Sequence, residues 1–199
     1  MTAGREIESL HDVWQVHSAD VVHAEKPRGN SSPIKADIII SSNPEITLFM
    51  RFADCVPIYL YDPKTPAICI AHAGWLGTVR RAAEIAVRAM IQTFGTSPEN
   101  LLAGIGPSIG PDHYEVGQDV LTQFSSSFGA QASDHIIEHD QRSYLNLWSA
   151  NKYLLEEQGV SEIEMAGICT VCENGDWFSH RAEHGETGRF AAIFNLERK

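Results

Sequence analysis

Residues Ala67-Ile68-Cys69-Ile70-Ala71 form an unbroken apolar run that ends in His72 and passes through Gly74-Trp75-Leu76-Gly77 into a helical pattern. A short continuous apolar stretch closed by a glycine-bearing turn reads as a buried strand. Val79, Ala83, Ala86, Met90 and Phe94 then recur at steps of three or four, which predicts a helix over 78–94 with one apolar face. A strand passing straight into an amphipathic helix must be packed in layers. His72 falls at the junction, where backbone N–H groups and the positive helix end face whatever binds there.

Three runs precede this unit: Asp37-Ile38-Ile39-Ile40, Thr47-Leu48-Phe49-Met50 and Pro57-Ile58-Tyr59-Leu60. Bounded by Asn43-Pro44 and Asp62-Pro63 turn signals, they read as neighbouring strands. The Pro, Gly, Asn and Ser of 26–33 mark a loop joining two strands. Downstream, 104–110 reads as a Gly/Pro loop, 116–128 and 147–158 as helices, the second stopped by Gly159, and 163–168 and 190–196 as closing strands. Alternating strands and helices, with several strands in succession near the start, predict a mixed α/β (α+β) layered domain rather than a regular parallel barrel. With 199 residues the chain suits one domain, 1–199, burying roughly 70% of its unfolded surface.

Composition removes several functions. A formal net charge of −11 and the lack of a basic stripe argue against nucleic acid as a partner. No apolar run approaches the ~20 residues a membrane-spanning helix needs. The stretch Met1 to Asp12 is polar and acidic, without the apolar centre of a signal peptide, so the expected location is cytoplasmic. Four cysteines in such a chain are expected as reduced thiols, and reduced thiols bind metal.

Three segments each carry a metal ligand beside a polar neighbour: Gln15-Val16-His17, Ala53-Asp54-Cys55 and His72-Ala73-Gly74-Trp75. Two imidazoles and a thiolate match a catalytic zinc, which takes three protein ligands and leaves the fourth position open. Between His17 and Cys55 lie 37 residues and between Cys55 and His72 another 16, so only the folded chain can unite them. Taken singly, each has an ordinary reading as a hydrogen-bonded histidine or an inert buried cysteine.

Cys169-Thr170-Val171-Cys172, followed by His180 and His184, superficially resembles a zinc finger, but its inner gap of seven residues falls short of the usual ~12. The turn Glu173-Asn174-Gly175 argues against a redox pair opening a helix, which leaves a strand end packed on the core. Gly106-Pro107-Ser108-Ile109-Gly110-Pro111 lacks the Lys-Ser/Thr ending of a phosphate loop and reads as a structural turn. Arg181 and Arg189 suit a bidentate grip on phosphate or carboxylate, or pairing with surface acids.

In order along the chain, Gln15-Val16-His17, Ala53-Asp54-Cys55-Val56-Pro57, His72-Ala73-Gly74-Trp75, Gly106-Pro107-Ser108-Ile109-Gly110 with Tyr114-Glu115-Val116-Gly117, and Gly167-Ile168-Cys169-Thr170 resemble one family. It is the multicopper polyphenol oxidase (laccase-like) or purine nucleoside phosphorylase family, also called peptidoglycan editing factor. The resemblance implies a layered α/β/β/α fold with mixed β-sheets and a zinc ion held by His17, Cys55 and His72. It further implies phosphorolysis of adenosine, inosine, guanosine and methylthioadenosine and hydrolytic deamination of adenosine, with purine nucleosides and phosphate as partners. On residue chemistry, Asp54 is the expected proton carrier, Arg181 and Arg189 the phosphate holders, and Trp75 the purine-facing wall.

The laccase label implies copper and phenol oxidation, although multicopper oxidation needs close pairs of imidazoles and no His-X-His occurs. Further alternatives are a cysteine hydrolase using Cys55 with His72 as base, and a catalytically weak metal-binding relative. The family's chains usually begin earlier, with an arginine- and glycine-bearing segment near the pocket. Its Gly-Trp-Arg-Gly and Ser-Tyr-Arg stand here as Gly74-Trp75-Leu76-Gly77 and Ser179-His180-Arg181.

Overall fold

The computed structural model describes residues 6–197; Met1 to Arg5 of the polar leading segment lie outside the described residues. The strands are β1 (Leu10–Asp12), β2 (Val21–His23), β3 (Ile38–Ser41), β4 (Thr47–Phe52), β5 (Val56–Asp62), β6 (Ala67–Ala73), β7 (Leu102–Ile105), β8 (Glu115–Val116), β9 (Ile136–His139), β10 (Arg142–Leu145), β11 (Glu162–Met165) and β12 (Phe190–Asn195). The helices are α1 (Trp75–Val79), α2 (Ala82–Phe94), α3 (Gln118–Phe128) and α4 (Leu147–Glu157). None of them is long and apolar enough to cross a membrane.

A six-stranded mixed sheet in the order β11-β7-β5-β6-β3-β2 forms the middle layer. Every residue of β6 is buried, because both faces of that strand are covered. Cys69 and Ala71 face the four helices, together with Ile38 and Ile40 of β3 and Ile58 and Leu60 of β5. Ile68 and Ile70 face the opposite way, with Ile39, onto a three-stranded sheet ordered β1-β4-β12. The result is the α+β layering of mixed sheets that the sequence implies. A small antiparallel sheet, β8-β10-β9, flanks the helical side.

The early strands are not neighbours as expected. β6 lies between β3 and β5, and β4 belongs to the other sheet, paired with β1 and β12. Period-2 alternation assigns each residue to a face but leaves open which strand lies alongside, and here later strands intercalate. The helix expected over 78–94 is broken as well: α1 ends at Val79 and α2 begins at Ala82, with Arg81 left-handed at φ 60. Arginine is a good helix former, so the pattern hides the break. The guanidinium of Arg81 bonds Glu84 on α2 and Glu157 on α4, while Arg80 turns the other way and donates to the His17 carbonyl at 2.6 Å. Two consecutive arginines can serve opposite sides only because the helix stops between them.

Smaller shifts have local causes. Gly104 sits inside β7, and the loop proper begins at Gly106. Val116 pairs with Ser143 in β8, so α3 starts two residues later than the apolar pattern implied.

Candidate metal centre and cleft

The face of β6 that carries Ile68 and Ile70 continues to His72, and the matching face of β5 carries Tyr59 and Pro57 and extends to Cys55. Both side chains therefore emerge at the end of the space between the two sheets, where Phe52 of β4 lies 5.3 Å from the His72 ring. His17 comes from the segment before β2 and holds a left-handed backbone at φ 57. The ligand atoms of His17, Cys55 and His72 all lie within 4.8 Å of one another. Their exposure is graded: His72 buried, Cys55 intermediate, His17 open to solvent.

One carboxylate organises this group. Asp37 accepts hydrogen bonds from the backbone N–H of Val16, His17 and Ser18, from the Ser18 hydroxyl and, at 2.7 Å, from His72 Nδ1. That last bond leaves His72 Nε2 as the free ring nitrogen, and the three N–H bonds hold His17 in its unusual backbone conformation. Burial raises the Asp37 carboxyl, but His72 and the backbone donors outweigh it and bring it down to about 2. Burial likewise raises the Cys55 thiol, yet His72 and His17 draw it below its ordinary range. His72 moves oppositely: burial lowers it, while Cys55 and Asp37 raise it more. Without a metal the site favours a thiolate beside an imidazolium.

Gly74 supplies the remaining space. A Cβ there would stand 2.6 Å from Cys55 Sγ and 3.4 Å from the His17 ring. Its carbonyl accepts from the Thr78 hydroxyl, which in turn accepts from the buried amide of Asn151 on α4. Cys55 Sγ and His17 Nε2 are 3.9 Å apart. Two ligands on one tetrahedral zinc, at about 2.3 Å for sulfur and 2.0–2.1 Å for nitrogen, stand about 3.6 Å apart. The donor set therefore fits a zinc ion, and imidazole with thiolate also suits copper.

The three residues form the floor of an open cleft of about 840 Å³. The residues given a site role from the sequence all border it: His17, Cys55 and His72, and also Asp54, Trp75, Arg181 and Arg189. Asp54, the expected proton carrier, is held by two neighbours. One oxygen accepts from the Thr170 hydroxyl and the other from the Arg181 N–H, each at 2.7 Å. The Arg181 guanidinium donates to the carbonyls of His113 and Glu115 and lies 5.2 Å from the Tyr114 ring centre. Arg189 bonds the carbonyls of Thr187 and Gly188 rather than surface acids.

Sequence reasoning gave no site role to Asp37, Arg51, Tyr114 or His180. Arg51, Tyr114 and His180 line the cleft. Arg51 stands at the rim because its backbone and the Gln15 amide exchange two hydrogen bonds. Asp37 was visible as the polar start of an apolar run, a signal that points to a strand end rather than to a ligand's partner.

A family model described as multi-copper polyphenol oxidoreductase laccase matches residues 2–197. A purine nucleoside phosphorylase of Deinococcus radiodurans is 37% identical over 185 residues, which cover 93% of this chain and 69% of that protein. Another of Bacteroides thetaiotaomicron is 36% identical over 156 residues, covering 77% of this chain and 58% of that one. The crystal structure of the Bacillus licheniformis hypothetical protein YfiH superposes with a TM-score of 0.91 at 30% identity, covering 98% of this chain and 76% of that one.

Proposed function

The chain belongs to the multi-copper polyphenol oxidoreductase laccase family, and we propose that it is a zinc-dependent purine nucleoside enzyme. The proposed reactions are phosphorolysis of adenosine, inosine, guanosine and methylthioadenosine and hydrolytic deamination of adenosine. One observation carries the reading: His17, Cys55 and His72 converge at the floor of a cleft of about 840 Å³, within the size range of small-molecule sites. The two relatives described above bear the name purine nucleoside phosphorylase.

His17, Cys55 and His72 would hold the zinc, which supplies Lewis-acid polarisation at the open position. Asp37 fixes His72 in the tautomer that presents Nε2. Trp75 and Tyr114 give the purine flat surfaces. Arg189 and Arg51 bring positive charge to the rim for phosphate, and Arg181, tethered through its guanidinium, holds the wall beside them. Asp54 is the proton carrier of this scheme, and its two oxygens are oriented by Thr170 and the Arg181 N–H.

Zinc-loaded protein given each nucleoside with and without phosphate should release free base and ribose phosphate only when phosphate is present, and inosine from adenosine in either case. No turnover across the panel overturns the reading. Arg181→Ala with undiminished phosphate-dependent turnover would remove that arginine from the scheme. Phenol oxidation by copper-loaded protein, with no nucleoside turnover, would favour the oxidase instead.

The pairing of a lowered Cys55 thiol with a raised His72 supports a second reading, a cysteine hydrolase. Chelation separates the two. A zinc-free, chelator-resistant activity that Cys55→Ser abolishes belongs to the hydrolase.

A further inference from the structure

A second group of soft ligands lies outside the cleft. Cys169 and Cys172 lie on the turn after β11, and the histidine that meets them is His113, far upstream, rather than His180 or His184. His113 Nδ1 stands 3.7 Å from each sulfur. Two ligands of one tetrahedral zinc, sulfur and nitrogen, are about 3.6 Å apart, so both distances already match the edges of a zinc coordination shell. The Cys-x-x-Cys spacing is the chelating spacing of structural zinc sites.

The buried end of the group is built into the backbone around it. Cys169 is buried, and its Sγ accepts the Gly110 N–H at 3.2 Å, a donor aimed at sulfur. Gly110 can approach because it has no side chain: a Cβ there would lie 3.0 Å from that sulfur. Asp112 Oδ1 is 3.0 Å from His113 Nδ1 and brings a carboxylate to the edge of the group. Exposed Cys172 leaves an entry path.

We propose that His113, Cys169 and Cys172 bind a second metal ion, a zinc-like soft divalent cation, with Asp112 or water in the fourth position. Its role is structural: it clips the loop after β7 to the turn after β11. These are the segments that carry Tyr114, whose neighbours' carbonyls hold Arg181, and Thr170, which bonds Asp54. The ion thus sets one wall of the cleft without touching what binds in it. The proposal stands whether or not the cleft processes nucleosides.

Metal-free, reduced protein titrated with zinc should take up about two equivalents, falling to about one in Cys172→Ser and, separately, to about one in Cys55→Ser. In the unaltered protein, peptide mapping should show Cys172 alkylated by iodoacetamide at least tenfold more slowly once zinc is added. Uptake of a single equivalent that Cys172→Ser retains would overturn the proposal. So would an alkylation rate at Cys172 indifferent to zinc, or a Cys169–Cys172 disulfide that persists under reductant. Because alkylation is read on the native sequence, a misfolded Cys172→Ser does not remove the test.

Discussion

Gly74 is the glycine whose replacement by alanine strikes directly at the candidate metal ligands. Its missing Cβ is the space in which Cys55 Sγ sits, at 2.6 Å from where that carbon would be. Because Gly74 is in extended backbone at φ −70, an alanine there is not strained by conformation, and the clash alone decides. Gly74→Ala is expected to displace the sulfur and lose zinc at this site, with far-UV circular dichroism unchanged; equilibrium dialysis measures the first. Asp37→Asn acts differently, by leaving the ligands in place and weakening their support. Loss of such an outer partner typically lowers metal affinity about 10–100-fold, which competition with a chromophoric chelator would report. The same variant should raise the pH at which Cys55 is alkylated in metal-free protein, because His72 would lose the carboxylate that keeps it charged. The convergence of His17, Cys55 and His72 was expected from the sequence because each is a ligand type beside a polar neighbour and the three fall in order within one family's motifs. Asp37 and His113 were not, since their meaning depends entirely on which distant atoms they reach.

Among the elements, β6 and α2 were plain in the sequence because burial on both faces and a helical stripe each leave a compositional trace. The break at Arg81 left none, being fixed by Glu84 and Glu157 on two helices. Strand order was also illegible, as hydrophobic alternation is the same whichever neighbour a strand finds. The segment joining α3 to β9 carries a testable titration. His135 is buried among Phe124, Phe128 and Tyr153, its Nδ1 bonded to Ser149 and its Nε2 without a partner among the described residues. Burial lowers its pKa from 6.5, with Asp134 opposing weakly. The unfolded chain therefore binds the proton first: stability is complete above about pH 6.5 and declines as pH falls toward the folded value. Thermal midpoints should drop between pH 7 and 5, and His135→Gln should flatten that slope.

At the scale of the whole molecule, any ion bound by groups that the unfolded chain scatters becomes a stabiliser of the fold. Free zinc at a hundredfold excess over its dissociation constant adds about 2.7 kcal/mol per site. For about 200 residues that corresponds to a rise of roughly 5–10 °C in melting temperature, checked by calorimetry with and without chelator. The layered arrangement could be read from the run of strands ahead of the first helix, and its mixed sheets from the family resemblance. What could not be read is how late the layers close. β4 receives its antiparallel partner only from β12, and Asp54 bonds residues 116 and 127 positions away. On the ribosome, every residue ahead of Phe190 must therefore emerge with one edge of β4 unsatisfied, and the cleft lacks a wall until Thr170 and Arg181 follow. A nascent chain halted before Phe190 would display that bare edge to its neighbours. Chaperone capture during translation is the liability this topology carries.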